Sequence, residues 1–230
     1  MTLPALPSSP DNKPPGRLRT QADLDRAITQ LVRQDPRLRP VFATTGMPAL
    51  RRRAPGFAGL ARIIVGQQLS TASATAIWTR LSDAFDPLHP DAIRRATALR
   101  LGKIGLSGAK IKALKSIAAE IRAKRLDLDS LGDLDADAAH ATLTALHGVG
   151  PWTADVYLLF CLGHSDAWPA ADIAIQEAIR LGLPLDSRPT TKQTIALADP
   201  WRPLRGAAAH LWWAYYRAAR GLPRLQPDPL

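Results

Sequence analysis

The chain has 230 residues, with 30 lysines and arginines against 20 aspartates and glutamates, a formal net charge of +10. That length suits one large or two small domains with a substantial core, and the basic excess, mainly arginine, favours a polyanionic partner. Its single cysteine, Cys161, excludes an internal disulfide and an iron–sulfur cluster, which takes about four thiolates, and no apolar run approaches the ~20 residues of a membrane span.

Residues 1–16 hold five prolines and little apolar material, so a disordered leader is expected there. The N-terminus lacks the continuous apolar segment of a secretory signal, which predicts a cytoplasmic protein with no membrane association. Thr20-x-x-Asp23 has the form of a capping signal and predicts a helix to about Arg33. Arg51-Arg52-Arg53 reads as a solvated loop. Gly56–Gln67 and Thr71–Phe85 read as helices with Ser70 as a cap between them, and Asp91–Leu99 as another. Leu101–Leu114 sets glycines before a helix, with Lys103, Lys110, Lys112 and Lys115 nearby. It reads either as a phosphate contact or as a basic amphipathic face. Gly132 and the aspartates from Asp127 to Asp137 mark a loop.

Ala136–Leu146 is a helix rich in alanine and leucine. A turn follows, His147-Gly148-Val149-Gly150-Pro151. Pro151 suits the first position of the next helix, which carries an apolar run over Trp152–Leu162. Asp172 opens a further helix, and Thr190–Ala198 and Pro203–Arg220 supply the last ones. No alternating strand pattern occurs, so the predicted fold is all-α.

The two glycines of the turn permit backbone angles and close approaches that a side chain would forbid. A helix start beside them presents free N–H groups and a positive dipole end, a natural phosphate site. Taken alone, this short pattern fits a glycine-capped hairpin without a ligand better.

The longer pattern decides between them. Leu146-His147-Gly148-Val149-Gly150-Pro151-Trp152-Thr153-Ala154, followed by Asp166-Ala167-Trp168-Pro169-Ala170-Ala171-Asp172, resembles the helix-hairpin-helix DNA glycosylases, and within them the 3-methyladenine DNA glycosylase II branch. Ile63–Ser70, reading IIVGQQLS, is similar to that family's Gln-Gln segment. Trp201-Arg202-Pro203-Leu204-Arg205, continuing through Ala207–Trp213, is similar to its C-terminal Trp-Arg-Pro helix. The blocks keep the family's order over roughly Ala54 to Arg220.

The resemblance implies two helical lobes with the hairpin beside the cleft between them, without the N-terminal β-rich domain of some relatives. It implies a monomer acting on double-stranded DNA that contains alkylated bases. The reaction would flip out 3-methyladenine, 7-methylguanine or 3-methylguanine, hydrolyse the N-glycosidic bond and leave an abasic site. By position in the motifs, Asp172 is the catalytic residue and Trp152 and Trp212 line the base pocket. Gly148, Val149 and Gly150 hold the DNA backbone, and Gln68 is the wedge that fills the vacated stack. No cofactor is required, although the family hairpin can hold a monovalent cation through backbone carbonyls, here those of Leu146 and Val149. Trp152 stands where strand-cutting relatives carry a Schiff-base lysine, which implies base release alone. Val156 stands where a relative has a pocket tyrosine, which implies a more open pocket.

The chemistry fits these residues. As the glycosidic bond lengthens, the sugar gains oxocarbenium character, which a nearby carboxylate stabilises while helping to orient or deprotonate water. Asp172 is the candidate, and an N-cap role can coexist with it. Asp166 is assigned a structural role as a cap. Glu177, five residues beyond Asp172, points elsewhere on the helix, so no acid stands close in sequence to protonate a leaving base. A base already cationic from ring alkylation needs less help and suits an aromatic pocket. Two other classes fit parts of the pattern: a non-catalytic helix-hairpin-helix DNA-binding protein, and a glycosylase for oxidised or mismatched bases.

Overall fold

The computed structural model describes residues 16–223. Most of the leader expected over residues 1–16 lies outside them. Twelve α-helices form among the described residues: α1 (Gln21–Gln34), α2 (Leu38–Thr45), α3 (Gly56–Gly66), α4 (Thr71–Ala84), α5 (Pro90–Arg95), α6 (Ala98–Ile104), α7 (Gly108–Arg122), α8 (Ala136–Thr144), α9 (Pro151–Val156), α10 (Ile173–Gly182), α11 (Thr191–Ala198) and α12 (Arg205–Ala219). The only β pairing among them is an isolated bridge between Arg17 and His164. The fold is therefore all-α, as expected.

Contacts divide the chain into two units. One comprises the chain through Arg52 together with Gly163 onward; the other is Arg53–Leu162.

In the first unit, α12 packs against α10, α2 and α1. Helix α1 starts at a reciprocal capping box, in which Thr20 and Asp23 each satisfy the other's backbone N–H. Leu24, Ile28, Leu31, Ile175, Ile179, Leu211 and Trp212 are buried here. The sequence signals give no warning of α2. It carries Pro40 within its first turn, where the missing N–H costs nothing.

In the second unit, α3 buries Leu60, Ile63, Ile64 and Val65 and contacts α4, α7 and α9. Helix α9 passes into a π-helical turn over Tyr157–Leu162, every residue of which is buried. The single helix expected over Asp91–Leu99 is two. Ala96 is extended, and Thr97 caps α6 by accepting the Arg100 N–H at 3.2 Å. A threonine hydroxyl offers the backbone this alternative to an unbroken helix.

The arginine run is not a simple solvated loop. Arg52 Nη1 donates to the Leu18 carbonyl at 2.8 Å, and the Arg53 guanidinium lies 5.6 Å from the centre of the Phe160 ring.

Candidate functional site

The hairpin belongs to the second unit. Asp135 caps α8, its Oδ1 accepting the Ala138 N–H at 2.9 Å. The chain then turns through Gly148, whose φ is +82°, toward Pro151 at the start of α9. A Cβ on Gly148 would lie 2.4 Å from the Ala113 Cβ of α7, so both the backbone angle and the packing demand glycine. Gly150 differs: its φ is −86°, and nothing lies within 4 Å of where its Cβ would be. Both glycines are exposed.

Val149 does not fit the expected role in holding a DNA backbone. Its side chain is buried, and its N–H donates to the Leu146 carbonyl at 3.1 Å, closing the turn instead of facing outward. Trp152, second in α9, is half-buried, and Val156 is 2% exposed, so this valine leaves no opening of its own.

The Gln-Gln segment turns between α3 and α4 in the same unit. Gln68 adopts a positive φ of 56° and is exposed, as is Leu69 beside it. Gln67 points back to the hairpin. Its Nε2 donates to Thr153 Oγ1 at 2.8 Å and to the Gly148 carbonyl at 3.3 Å. Ser70 caps α4 by accepting the Ser73 N–H at 3.2 Å.

The lysines expected near a phosphate divide. Lys110 Nζ donates to the carbonyls of Val65 and Gln67 at 2.7 and 2.9 Å, and Lys115 Nζ to that of Ala96 at 2.5 Å. Lys103 and Lys112 are exposed.

The aspartate segment, Asp166–Asp172, lies in the first unit. Asp166 is buried and anchors the start of α12. Its carboxylate accepts Arg205 Nε and Nη2, both at 2.8 Å, Arg202 Nη1 at 2.9 Å and the Arg205 backbone N–H at 3.3 Å. The expected cap is thus realised across the fold, on a helix whose own N-cap, Leu204, supplies no side-chain bond. Trp168 Nε1 donates to the Thr194 carbonyl at 3.2 Å, and Gln176 Nε2 to that of Ala170 at 2.8 Å. Asp172 follows as the N-cap of α10. Its Oδ1 accepts the Ile175 N–H at 3.0 Å and Trp213 Nε1 at 3.1 Å. The carboxylate is held by a helix start on one side and an indole on the other.

Trp213 was missed by position. Trp212 and Trp213 are adjacent on α12, and successive helix residues diverge by about 100°, so only one can face Asp172. Trp212 turns inward: it is 0% exposed, its ring centre 5.8 Å from that of Trp201 and 5.9 Å from that of Tyr215. A Cβ on Gly182 would touch its ring at 2.6 Å. The expected pocket role of Trp212 is corrected accordingly, because its faces are covered by the unit's own core. The half-buried Trp213 instead borders a cavity of about 630 Å³, with Met47, His210 and Arg217 among its walls. Burial pushes His210 down to about 4, which keeps this imidazole neutral at physiological pH. Glu177, as expected, is turned to other work. Its hydrogen bonds to Arg180, at 2.9 and 3.0 Å, hold it below the usual carboxylate range, which makes it a poor proton donor.

Residues 61–203 match the model of the HhH-GPD superfamily base excision DNA repair proteins. The chain belongs to this superfamily. Among its relatives, the probable bifunctional transcriptional activator/DNA repair enzyme AlkA of Mycobacterium tuberculosis is 32% identical over 211 residues, covering 85% of this chain and 41% of that protein. This chain therefore spans less than half the length of that relative. DNA-3-methyladenine glycosylase 1 of Schizosaccharomyces pombe is 31% identical over 158 residues, covering 67% of this chain and 69% of that one. The crystal structure of DNA-3-methyladenine glycosidase from Bacillus halodurans superposes with a TM-score of 0.76 at 26% identity, over 86% of this chain and 92% of that one. The helical fold of the HhH-GPD repair proteins is thereby the fold of this chain.

Proposed function

We propose that this HhH-GPD protein is a monofunctional DNA glycosylase that hydrolyses the N-glycosidic bond of alkylated bases in double-stranded DNA. The observation that carries the reading is Asp172, whose Oδ1 is fixed by the Ile175 N–H and the Trp213 indole at the end of a braced segment. A carboxylate held before the reaction can stabilise the charge that develops on the sugar without reorganising. The names of the relatives support alkylated bases, 3-methyladenine above all, as substrates. Trp213 takes over from Trp212 as the aromatic surface offered to a cationic base, and Trp152 stays a candidate for contact with the flipped base. Gln68, exposed and at positive φ, is the wedge. The protein acts as a monomer in the cytoplasm.

Hydrolysis takes water as its second substrate and requires no cofactor. A monovalent cation at the hairpin would use the carbonyls of Leu146 and Val149. The Leu146 oxygen already accepts the Val149 N–H, and an ion would take its second lone pair.

The purified protein, incubated with methylated plasmid, is expected to release free 3-methyladenine and 7-methylguanine. Strand breaks should appear only after alkali or an added endonuclease, and borohydride should trap no adduct. Intact bases would leave a non-catalytic DNA-binding protein, and a trapped adduct would point to a lyase.

The exposed glycines of the hairpin lead to a second expectation. Gly150→Val is expected to leave the packing unchanged, because a Cβ there meets nothing within 4 Å and its φ suits any residue. The variant is expected to melt with the parent protein yet bind duplex DNA about tenfold more weakly at every sequence, since phosphate contacts position rather than specify. Unchanged affinity by fluorescence anisotropy would remove the hairpin as the DNA anchor. Gly148→Val is unsuitable for this measurement because it collides with Ala113.

A further inference from the structure

The Gln67–Leu69 turn has to stay rigid while it is pushed into a base stack, and its own sequence does little to stiffen it. It contains neither glycine nor proline, and Gln68 sits at a φ of 56°, a left-handed backbone angle that a side chain disfavours. Within the turn, the Leu69 N–H reaches the Gly66 carbonyl at 3.3 Å, and the Gln67 N–H reaches that of Ile64 at 3.2 Å. Neither bond is made by Gln68. Some other group must hold the conformation.

Lys110 supplies that hold. It is the third residue of α7, and its half-buried ammonium reaches across to the C-terminal end of α3, donating to Val65 O at 2.7 Å and Gln67 O at 2.9 Å. Carbonyls at a helix end have no partner within the helix, and the dipole there favours a cation. One ammonium thus ties the last turn of α3 to the first residue of the loop. On the other side, the Gln67 side chain is fastened to Thr153 and Gly148 of the hairpin, and Ser70 caps α4. The backbone is clamped on both sides of Gln68, whose side chain stays exposed.

We propose that Lys110 is a positioning residue for the wedge: its ammonium clamps the end of α3 so that Gln68 is presented to the duplex at fixed depth. The inference rests on the reading of Gln68 as the wedge. It also gives the lysine a role different from the phosphate contact that its glycine-then-helix setting suggests, because both carbonyl bonds lie within the unit.

The test compares release of 7-methylguanine in single-turnover assays from two duplexes. In one the lesion faces cytosine. In the other it faces a tetrahydrofuran abasic analogue, where no paired base has to be displaced. Lys110→Met keeps the aliphatic stem and removes the ammonium. It is expected to slow release from the paired duplex about tenfold, the scale of a lost charged hydrogen bond, and to change release from the abasic duplex by less than about twofold. Lys110→Arg, which restores a cationic donor, should return the paired rate toward that of the parent. Gln68→Ala should show the same selective loss as Lys110→Met. A Lys110→Met protein that slows both duplexes equally, or neither, overturns the proposal while a selective Gln68→Ala loss leaves the wedge reading intact. If Gln68→Ala is not selective, the wedge reading fails and the role of Lys110 toward it fails too. Should Lys110→Met not fold, Lys110→Gln, a neutral donor, takes its place with the same outcomes.

Discussion

Asp172→Asn is expected to slow base release on the order of 100-fold or more, the scale of removing one preorganised electrostatic contact from a transition state. The substitution is nearly neutral for the fold. Asparagine caps helices about as well as aspartate, and its side-chain oxygen can keep the bonds from the Ile175 N–H and the Trp213 indole that Asp172 Oδ1 accepts now. What it lacks is the negative charge. Single-turnover release of 7-methylguanine, read beside melting temperature and duplex affinity, separates chemistry from folding and binding. A near-parental rate in a well-folded Asp172→Asn protein would end the assignment of this residue. Trp213→Phe is the companion measurement. It keeps an aromatic face and deletes only the N–H, so release should fall about tenfold, the scale of one hydrogen bond to a charged group.

The fold class was legible from helical spacing and the absence of alternation, and the local caps around the candidate site from motifs that carry geometry of their own. Thr20-x-x-Asp23 is a capping box in the structure, Ser70 is a cap, and Asp172 starts a helix. Each of these is a local hydrogen bond, and local bonds leave a local signature. Contacts made across the fold leave none. Nothing around Lys110 says that its ammonium will find carbonyls 43 and 45 residues away. Nothing around Asp166 names Arg205, 39 residues on. The misassignment of Trp212 has a narrower cause. A motif match locates a helix to within a residue, but one residue along a helix is a rotation of about 100°. That rotation separates a ring sealed between Trp201 and Tyr215 from one that bonds Asp172. Val149 illustrates the same limit. The Gly-Val-Gly spacing marks the turn, but only the structure shows that the valine closes it from within.

Asp166 and Asp172 stand six residues apart in one segment, and their surroundings differ: Asp166 sits in a buried ion pair with Arg205, while Asp172 accepts a helix-start N–H and an indole. Asp166→Ala is therefore expected to damage the fold rather than the chemistry. The Arg205 side chain is 6% exposed and that of Asp166 11%, so the alanine would take this carboxylate from a guanidinium in a site with little water. Breaking such a buried pair costs about 3–5 kcal/mol. Set against the ~5–15 kcal/mol that holds a typical domain together, this is a large share. The same change frees the first backbone N–H of α12, the helix that carries Trp213, so local loosening should reach the proposed site before global unfolding does. The measurement is urea unfolding followed by tryptophan fluorescence, with Trp168 and Trp201 stacked edge-to-face close by as reporters. Asp166→Ala should shift the midpoint strongly. Adding Arg205→Met, which removes the charge that the carboxylate balanced, should recover part of the loss, a coupling that a double-mutant cycle reads directly. If Asp166→Ala unfolds with the parent protein but releases no base, the carboxylate belongs to the chemistry, and the division of labour between the two aspartates is wrong.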